Sequence, residues 1–189
     1  MRIGSDAGGT FTDLVDDRGE VTKVLSTPQQ PADAVRSGVQ ALGGHGEALA
    51  HGTTVATNAL LERQGAMVAL VATEGFADVI EIARQHRPSL YDPWKDRPAP
   101  LVDRAHRYEV AGRLDHTGAE LVPAGPVPTL ADDVEAVAVC LLHADVEPRH
   151  EQAVAAALRA IGHDVSASHE VAPEFREYER TVTTVLNAY

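Results

Sequence analysis

"DAGGTFTD", residues 6–13, follows directly on a run that opens a strand, and its reading decides the fold. Two glycines and two threonines lie between two aspartates. Gly8-Gly9 after a strand can turn tightly with only backbone facing outward, so that N–H groups and the Thr10 and Thr12 hydroxyls point at phosphate oxygens. Asp6 at the strand end suits hydrated Mg²⁺, which takes one or two carboxylates together with phosphates. Asp13 would do the same or orient the loop. The plainer alternative is a hairpin rich in turn residues. Neither the G-x-x-x-x-G-K-[ST] loop nor the G-x-G-x-x-G fingerprint is present, so neither common nucleotide fold is indicated.

Outward from this turn, Arg2–Asp6 and Thr12–Asp16 pair as strands, Asp17-Arg18-Gly19 turns, and Val21, Val24 and Leu25 begin a third strand, giving an N-terminal β-meander. The period then becomes helical, with Val35, Val39 and Leu42 on one face and Gly43-Gly44 as the stop. A strand end, a loop and a helix from about Val55 to Arg63 follow. Met67–Ala72 is a continuous apolar run, as in a strand covered on both faces, and a short helix is expected near Phe76–Ile82. Residues 84–105, with four prolines, Tyr91 and Trp94, read as a long loop, and Gly118–Pro128 as a second connection. The run 134–143 is the best strand. Pro148 opens a helix with Val154, Leu158 and Ile161 on one face, Val165–Ser168 is another strand, and the stretch from Pro173 to Tyr189 begins a last helix. A meander followed by alternating helices and apolar strands indicates a mixed α/β sheet.

Composition narrows the function. The 189 residues carry 44% hydrophobic and 23% charged residues, ordinary for a globular protein, and a net charge of −12. That charge argues against a nucleic-acid partner, which needs a basic stripe, but not against a small anion held by a local set of N–H groups. The lone Cys140 excludes an intrachain disulfide and reads as a core thiol. No window approaches the roughly 18 apolar residues of a membrane span, and no signal-peptide pattern opens the chain, so a cytoplasmic protein without a membrane partner is the expectation. The nine histidines show no H-E-x-x-H spacing, and no G-x-S-x-G elbow occurs.

Three further stretches carry candidate residues. "HGTTVATNA" places His51, Thr53, Thr54 and Asn58 around a strand end and a helix start, where anions and substrates gather. His51 reads as a substrate contact or acid–base group, or as a structural histidine beside threonines that cap the helix. Arg84 reads as a bidentate anchor for a substrate carboxylate, or as a solvated loop charge. "EFREYER" (174–180) reads as a solvated helix face or a domain interface.

The opening turn resembles the first phosphate loop of the actin-like ATPase superfamily. Downstream, "HGTTVATNALLERQGAMVALVATEGFADVIEIARQHRPSLYD" (51–92) and "FREYERTVTTVLNAY" (175–189) resemble the N-terminal region of the hydantoinase A/oxoprolinase family. The chain departs from the family at Ser5 and Ala7, where larger aliphatic residues are usual, and is short around Leu130–Asp133. The resemblance implies an actin-like ATPase (ribonuclease H-like) N-terminal domain over 1–189. It also implies a loop-rich insertion at 84–130 and a 173–189 helix leading into a second domain that this sequence does not contain. It implies further an ATP- and Mg²⁺-dependent enzyme that opens cyclic amides such as 5-oxoproline or hydantoins, with related members carboxylating ketones. On that reading Gly8, Gly9, Thr10 and Thr12 cradle the phosphates, Asp6 binds Mg²⁺, and Asp6, Asp13 and His51 act in catalysis. Thr53, Thr54, Asn58 and Arg84 would face the cyclic amide. The remainder of the family protein, or a second hydantoinase-type subunit, would complete the site. A non-catalytic assembly module and a sugar-kinase-like phosphotransferase are the competing readings.

Overall fold

A computed structural model describes residues 1–27 and 30–189, which divide into two compact units, Met1–Gly65 and Ala66–Tyr189.

The first unit is the meander with two helices. Strands β1 (Arg2–Ala7), β2 (Phe11–Asp16) and β3 (Val21–Leu25) run antiparallel in sequence, and β4 (Ala48–Thr53) adds in parallel beside β1, giving the mixed order β3-β2-β1-β4. Alternation sends Ile3, Ser5 and Ala7 of β1, and Thr12, Leu14 and Asp16 of β2, to one buried face. Helix α1 (Pro31–Ala41) lies on that face. Pro31 begins it, Asp33 favours its N-terminal dipole, and Gly43 and Gly44 follow it with φ of +105° and +76°. The expected stripe of Val35, Val39 and Leu42 is rotated. Ala34, Gly38 and Leu42 are the buried positions, because a small residue at 38 lets the helix approach Leu14 closely. A Cβ at Gly38 would run into the Leu14 methyl groups. Gly38→Ala should therefore destabilise by about 1–3 kcal/mol, although alanine is the better helix former by roughly 1 kcal/mol. A urea midpoint equal to or above that of the parent would overturn the close-approach argument.

The Asp16 turn fixes the β2–β3 connection. Its carboxylate accepts hydrogen bonds from the backbone N–H groups of Glu20 and Arg18, both at 2.9 Å, and from Arg18 Nε at 2.8 Å, while Gly19 takes φ of +84°. The Glu20 N–H, and behind it the Arg18 guanidinium, hold the Asp16 carboxyl below the usual carboxylate range. The stability this gives is present above about pH 4, the unfolded value, and is lost as pH falls through the lower folded value. Asp16→Asn should therefore lower stability at neutral pH and flatten the acid limb of a urea-midpoint-versus-pH curve.

In the second unit β5 (Val68–Thr73), β6 (Arg107–Val110), β9 (Ala136–Cys140) and β10 (Asp164–Ala167) form a parallel sheet in the order β10-β9-β5-β6. Strands β5 and β9 are buried at every position, which is why they read as unbroken apolar runs. Helix α4 (Arg149–Ala160) packs Val154, Ala155 and Leu158 into the core on Val71, Val137 and Val139. Helix α6 (Glu177–Ala188) closes the other core, with Val185 in the cluster of Leu70, Ala138, Cys140 and Val102. Cys140 is the expected core thiol, and burial pushes it up from its ordinary value.

Several sequence expectations shift here. Ile161 is 66% exposed, because α4 ends at Ala160 and the chain turns away. Ser168 leaves the strand to start the single-turn α5 (Ser168–Val171), where its hydroxyl donates to the fully buried Glu151 at 2.8 Å. The last helix starts at Glu177 rather than Pro173, since Arg176 is extended, with φ −82° and ψ 106°. Within 84–130, β6 is a strand of the main sheet, and β7 (Arg113–Leu114) with β8 (Glu120–Val122) makes a hairpin not read from the sequence. The stretch between α3 (Val79–Ile82) and a short 3₁₀ turn at Arg104–His106 has neither helix nor strand. Among the described residues no helix is long and apolar enough to cross a membrane.

Candidate phosphate site

The site grows from the β1–β2 turn. Gly8 N–H closes it on the Phe11 carbonyl at 3.0 Å, leaving Gly9 and Thr10 at the tip. Among the described residues, the N–H groups of Gly9 and Thr10 and the Thr10 hydroxyl have no partner within the chain. Helix α2 (Val55–Glu62) starts against this turn. Thr54 N–H donates to the Ala7 carbonyl at 3.2 Å, and a Cβ on Gly9 would stand 3.1 Å from Asn58 Nδ2. The first-turn N–H groups of Ala56 and Thr57 are likewise without a partner in the chain. Two sets of open amide donors are thus joined through a glycine that admits nothing larger without displacing Asn58. This is a donor set suited to an anion with several oxygens.

The carboxylates complete it. Asp6 and Asp13 are direct cross-strand partners on the sheet face opposite α1, with Gly52 beside Asp6 and Lys23 opposite Asp13. Lys23 Nζ reaches Asp13 at 3.1 Å, whereas the Asp6 carboxylate has no partner among the described residues. Like charges directly opposite on a sheet repel, and a cation relieves them. The same face holds a shallow groove of about 490 Å³ lined by Gly4, Asp6, Asp13, Val15, Val21 and Gly52, among others. Among the described residues no group of three or more His, Cys, Asp or Glu could hold a metal alone. Mg²⁺ needs no such group where phosphates supply its other oxygens, so the residues present fit Mg²⁺ bound together with a phosphate chain.

Other expected residues stand elsewhere. Thr12 is 1% exposed on the α1 face. Its hydroxyl meets Ser26 Oγ at 3.0 Å, and Ser26 donates to the Gly8 carbonyl at 2.7 Å, so Thr12 braces the turn from below rather than facing a ligand. His51 pairs in register with Ser5, not Asp6, and its Nδ1 lies 2.8 Å from Ser5 Oγ. The period of two therefore sends it to the face opposite the aspartates. Thr53 Oγ1 accepts from Val55 N–H at 3.2 Å, and Asn58 Nδ2 donates to Thr54 Oγ1 at 3.4 Å, both at the junction of β4 with α2. Arg84 belongs to the second unit, where it is tied to Glu179 at 2.6 Å. Ser26 and Lys23 escaped the sequence reading. Lys23 follows Asp13 by a hairpin's length, but Ser26 left no local signal.

A family model described as the hydantoinase/oxoprolinase N-terminal region matches residues 2–162. The chain belongs to the hydantoinase/oxoprolinase family. Its relatives include the caprolactamase alpha subunit of Pseudomonas jessenii, 39% identical across 100% of this chain and 31% of that protein. The crystal structure of ATP-dependent caprolactamase from the same organism superposes with a TM-score of 0.82 at 35% identity, covering 100% of this chain and 31% of that one. Nucleotide-free acetone carboxylase gives 0.80 at 25% identity, covering 100% and 32%. The chain therefore spans about a third of the length of these relatives. Its fold is the expected one for the family, a mixed α/β domain of the actin-like ATPase type with the meander at its start.

Proposed function

We propose that this chain is the phosphate-binding N-terminal part of an ATP-dependent enzyme that hydrolyses a cyclic amide, and that it acts together with the remainder of a family-length protein or with a second subunit. The observation that carries the reading is the junction of the Gly9–Thr10 turn with the start of α2, where two elements present open N–H groups at a turn that the unpartnered Asp6 precedes by two residues. The higher identity to caprolactamase than to acetone carboxylase favours ring opening over carboxylation.

In this reading the N–H groups of Gly9, Thr10, Ala56 and Thr57 and the Thr10 hydroxyl hold the phosphate oxygens of ATP. Asp6 holds Mg²⁺, while Asp13, kept in place by Lys23, adds negative charge on the same face. The ion neutralises phosphate charge, which is most of what a protein can contribute to phosphoryl transfer besides positioning. Thr12 and Ser26 keep the turn in shape. Thr54 and Asn58 fix α2 against it, and His51 supports β1 through Ser5. ATP cleavage then drives opening of an amide that water alone attacks slowly.

The test is phosphate release by the complete protein that carries this sequence, with ATP, Mg²⁺ and either a lactam or a sugar. Stimulation by a lactam alone supports the proposal. Stimulation by a sugar alone replaces it with the kinase reading, and no Mg-ATP binding at all favours an assembly module.

A further inference from the structure

The second unit carries a groove of about 900 Å³ that no step of the phosphate site uses. Its floor is apolar, made by Ile80 of α3, Leu101 of the proline-rich loop, and Val182 and Val185 of α6. This size and an apolar lining with a few polar groups are what small-molecule sites show, typically ~300–1,000 Å³.

The charged groups on its wall divide into two sets. Glu81 accepts from Arg107 Nη1 at 2.6 Å, and Arg97 Nη1 donates to the Glu81 and Ile82 carbonyls at 3.1 and 2.8 Å, so both are engaged in holding the fold. Arg87 and Asp96 are not. Among the described residues neither makes a hydrogen bond or ion pair, with each other or with anything else. His86 beside them is also without a partner. Arg84, the cation expected from sequence to meet a carboxylate, is neutralised by Glu179, which leaves Arg87 for that part.

An unpaired cation and an unpaired carboxylate on one apolar groove select a ligand with both charges and an apolar body between them. A simple aliphatic carboxylate would meet Asp96 as a like charge, and an alkylammonium would meet Arg87. We infer that the groove binds a short aliphatic amino carboxylic acid, its carboxylate on Arg87 and its ammonium on Asp96. Hydrolysis of a lactam yields such a molecule: the C–N bond breaks, the hydroxyl of water joins the carbonyl carbon and its hydrogen goes to the nitrogen. Assigning the groove to the ring-opened product rests on the cyclic-amide reading above, whereas the preference for a zwitterion stands on the groove alone.

The experiment titrates this chain with 6-aminohexanoate, hexanoate and hexylammonium at neutral pH, following amide NMR shifts. The expected result is saturable binding with shifts confined to the groove, 6-aminohexanoate being about two- to fivefold tighter than either one-ended probe, as exposed charge pairs allow. Arg87→Met should abolish the preference over hexylammonium, and Asp96→Asn the preference over hexanoate. Both side chains are exposed and unpartnered, so the variants should fold, and the ratio of affinities within each variant is independent of how much of it is folded. Absence of saturable binding, equal affinity for the three probes, or preferences untouched by both substitutions would overturn the inference. Binding as described without lactam-stimulated phosphate release by the complete protein overturns only the product assignment. Phosphate release without binding removes the groove and leaves the reaction.

Discussion

Asp6→Asn is expected to reduce lactam-stimulated phosphate release by the complete protein about 10²-fold or more while leaving the fold intact. The magnitude is that of removing one preorganised charged group from a site where phosphate charge must be balanced. The intact fold follows from the position. Asp6 has no partner within the chain among the described residues, so its replacement breaks no hydrogen bond or ion pair. It also relieves repulsion with Asp13 directly across the strand pair. In the absence of Mg²⁺ the variant should be as stable as the parent or more so, by roughly 0.2–1 kcal/mol. Two readouts therefore move in opposite directions. A urea melt in EDTA checks the first, and Mg-ATP titration with phosphate release checks the second. A variant that turns over at the parental rate would remove Asp6 from metal binding. A variant that unfolds would show that Asp6 is a structural residue.

The second large effect is expected in the other unit. Arg180 is 1% exposed, yet carries a charge. Its Nη1 donates to Asp145 at 2.8 Å and to the Glu174 carbonyl at 2.6 Å, and its Nη2 to the Leu141 carbonyl at 2.9 Å. Arg180→Met leaves Asp145, itself only 10% exposed, as an uncompensated carboxylate, and leaves the Glu174 carbonyl without its donor, while the Leu141 carbonyl keeps only the Ala144 N–H. Breaking a buried pair in this way costs about 3–5 kcal/mol, a large share of the 5–15 kcal/mol that holds a typical domain. Adding Asp145→Asn removes the stranded charge and should recover much of the loss. Chemical denaturation of the parent, both single variants and the double variant would show a strong positive coupling. A single Arg180→Met loss under 1 kcal/mol would mean that water reaches Asp145 and the pair is not buried in solution.

Both cases bear on how far the sequence could be read. The turn at 6–13 and the meander around it were legible because glycines, hydroxyls and alternating apolar residues are local signals, and the hydrogen bonds that close the turn are local too. Strands β5 and β9 were legible for a related reason: burial on both faces leaves no position for a polar residue. "EFREYER" read as a solvated helix face or a domain interface, and neither reading gave Arg180 its buried ion pair, because nothing within a helical turn reveals Asp145, 35 residues earlier. Ile161 and Ser168 were misplaced by a single turn, where caps rather than periodicity decide the outcome.

Sequence by itself thus determined the family, the mixed α/β class, the glycine- and hydroxyl-rich turn and the core strands, because each is written in contiguous residues whose spacing matches a period or a motif. Tertiary structure alone decided which polar residues share a surface. Strand register put Asp6 with Asp13 and Gly52, and sent His51 with Ser5 to the other face. Helix docking brought Asn58 against Gly9, and a contact 95 residues apart closed Arg84 onto Glu179 while Arg87 stayed open. The physical reason is common to all of them. Register and docking are set by the sum of burial over whole elements, so a one-residue shift that no local motif records moves every side chain to the opposite face.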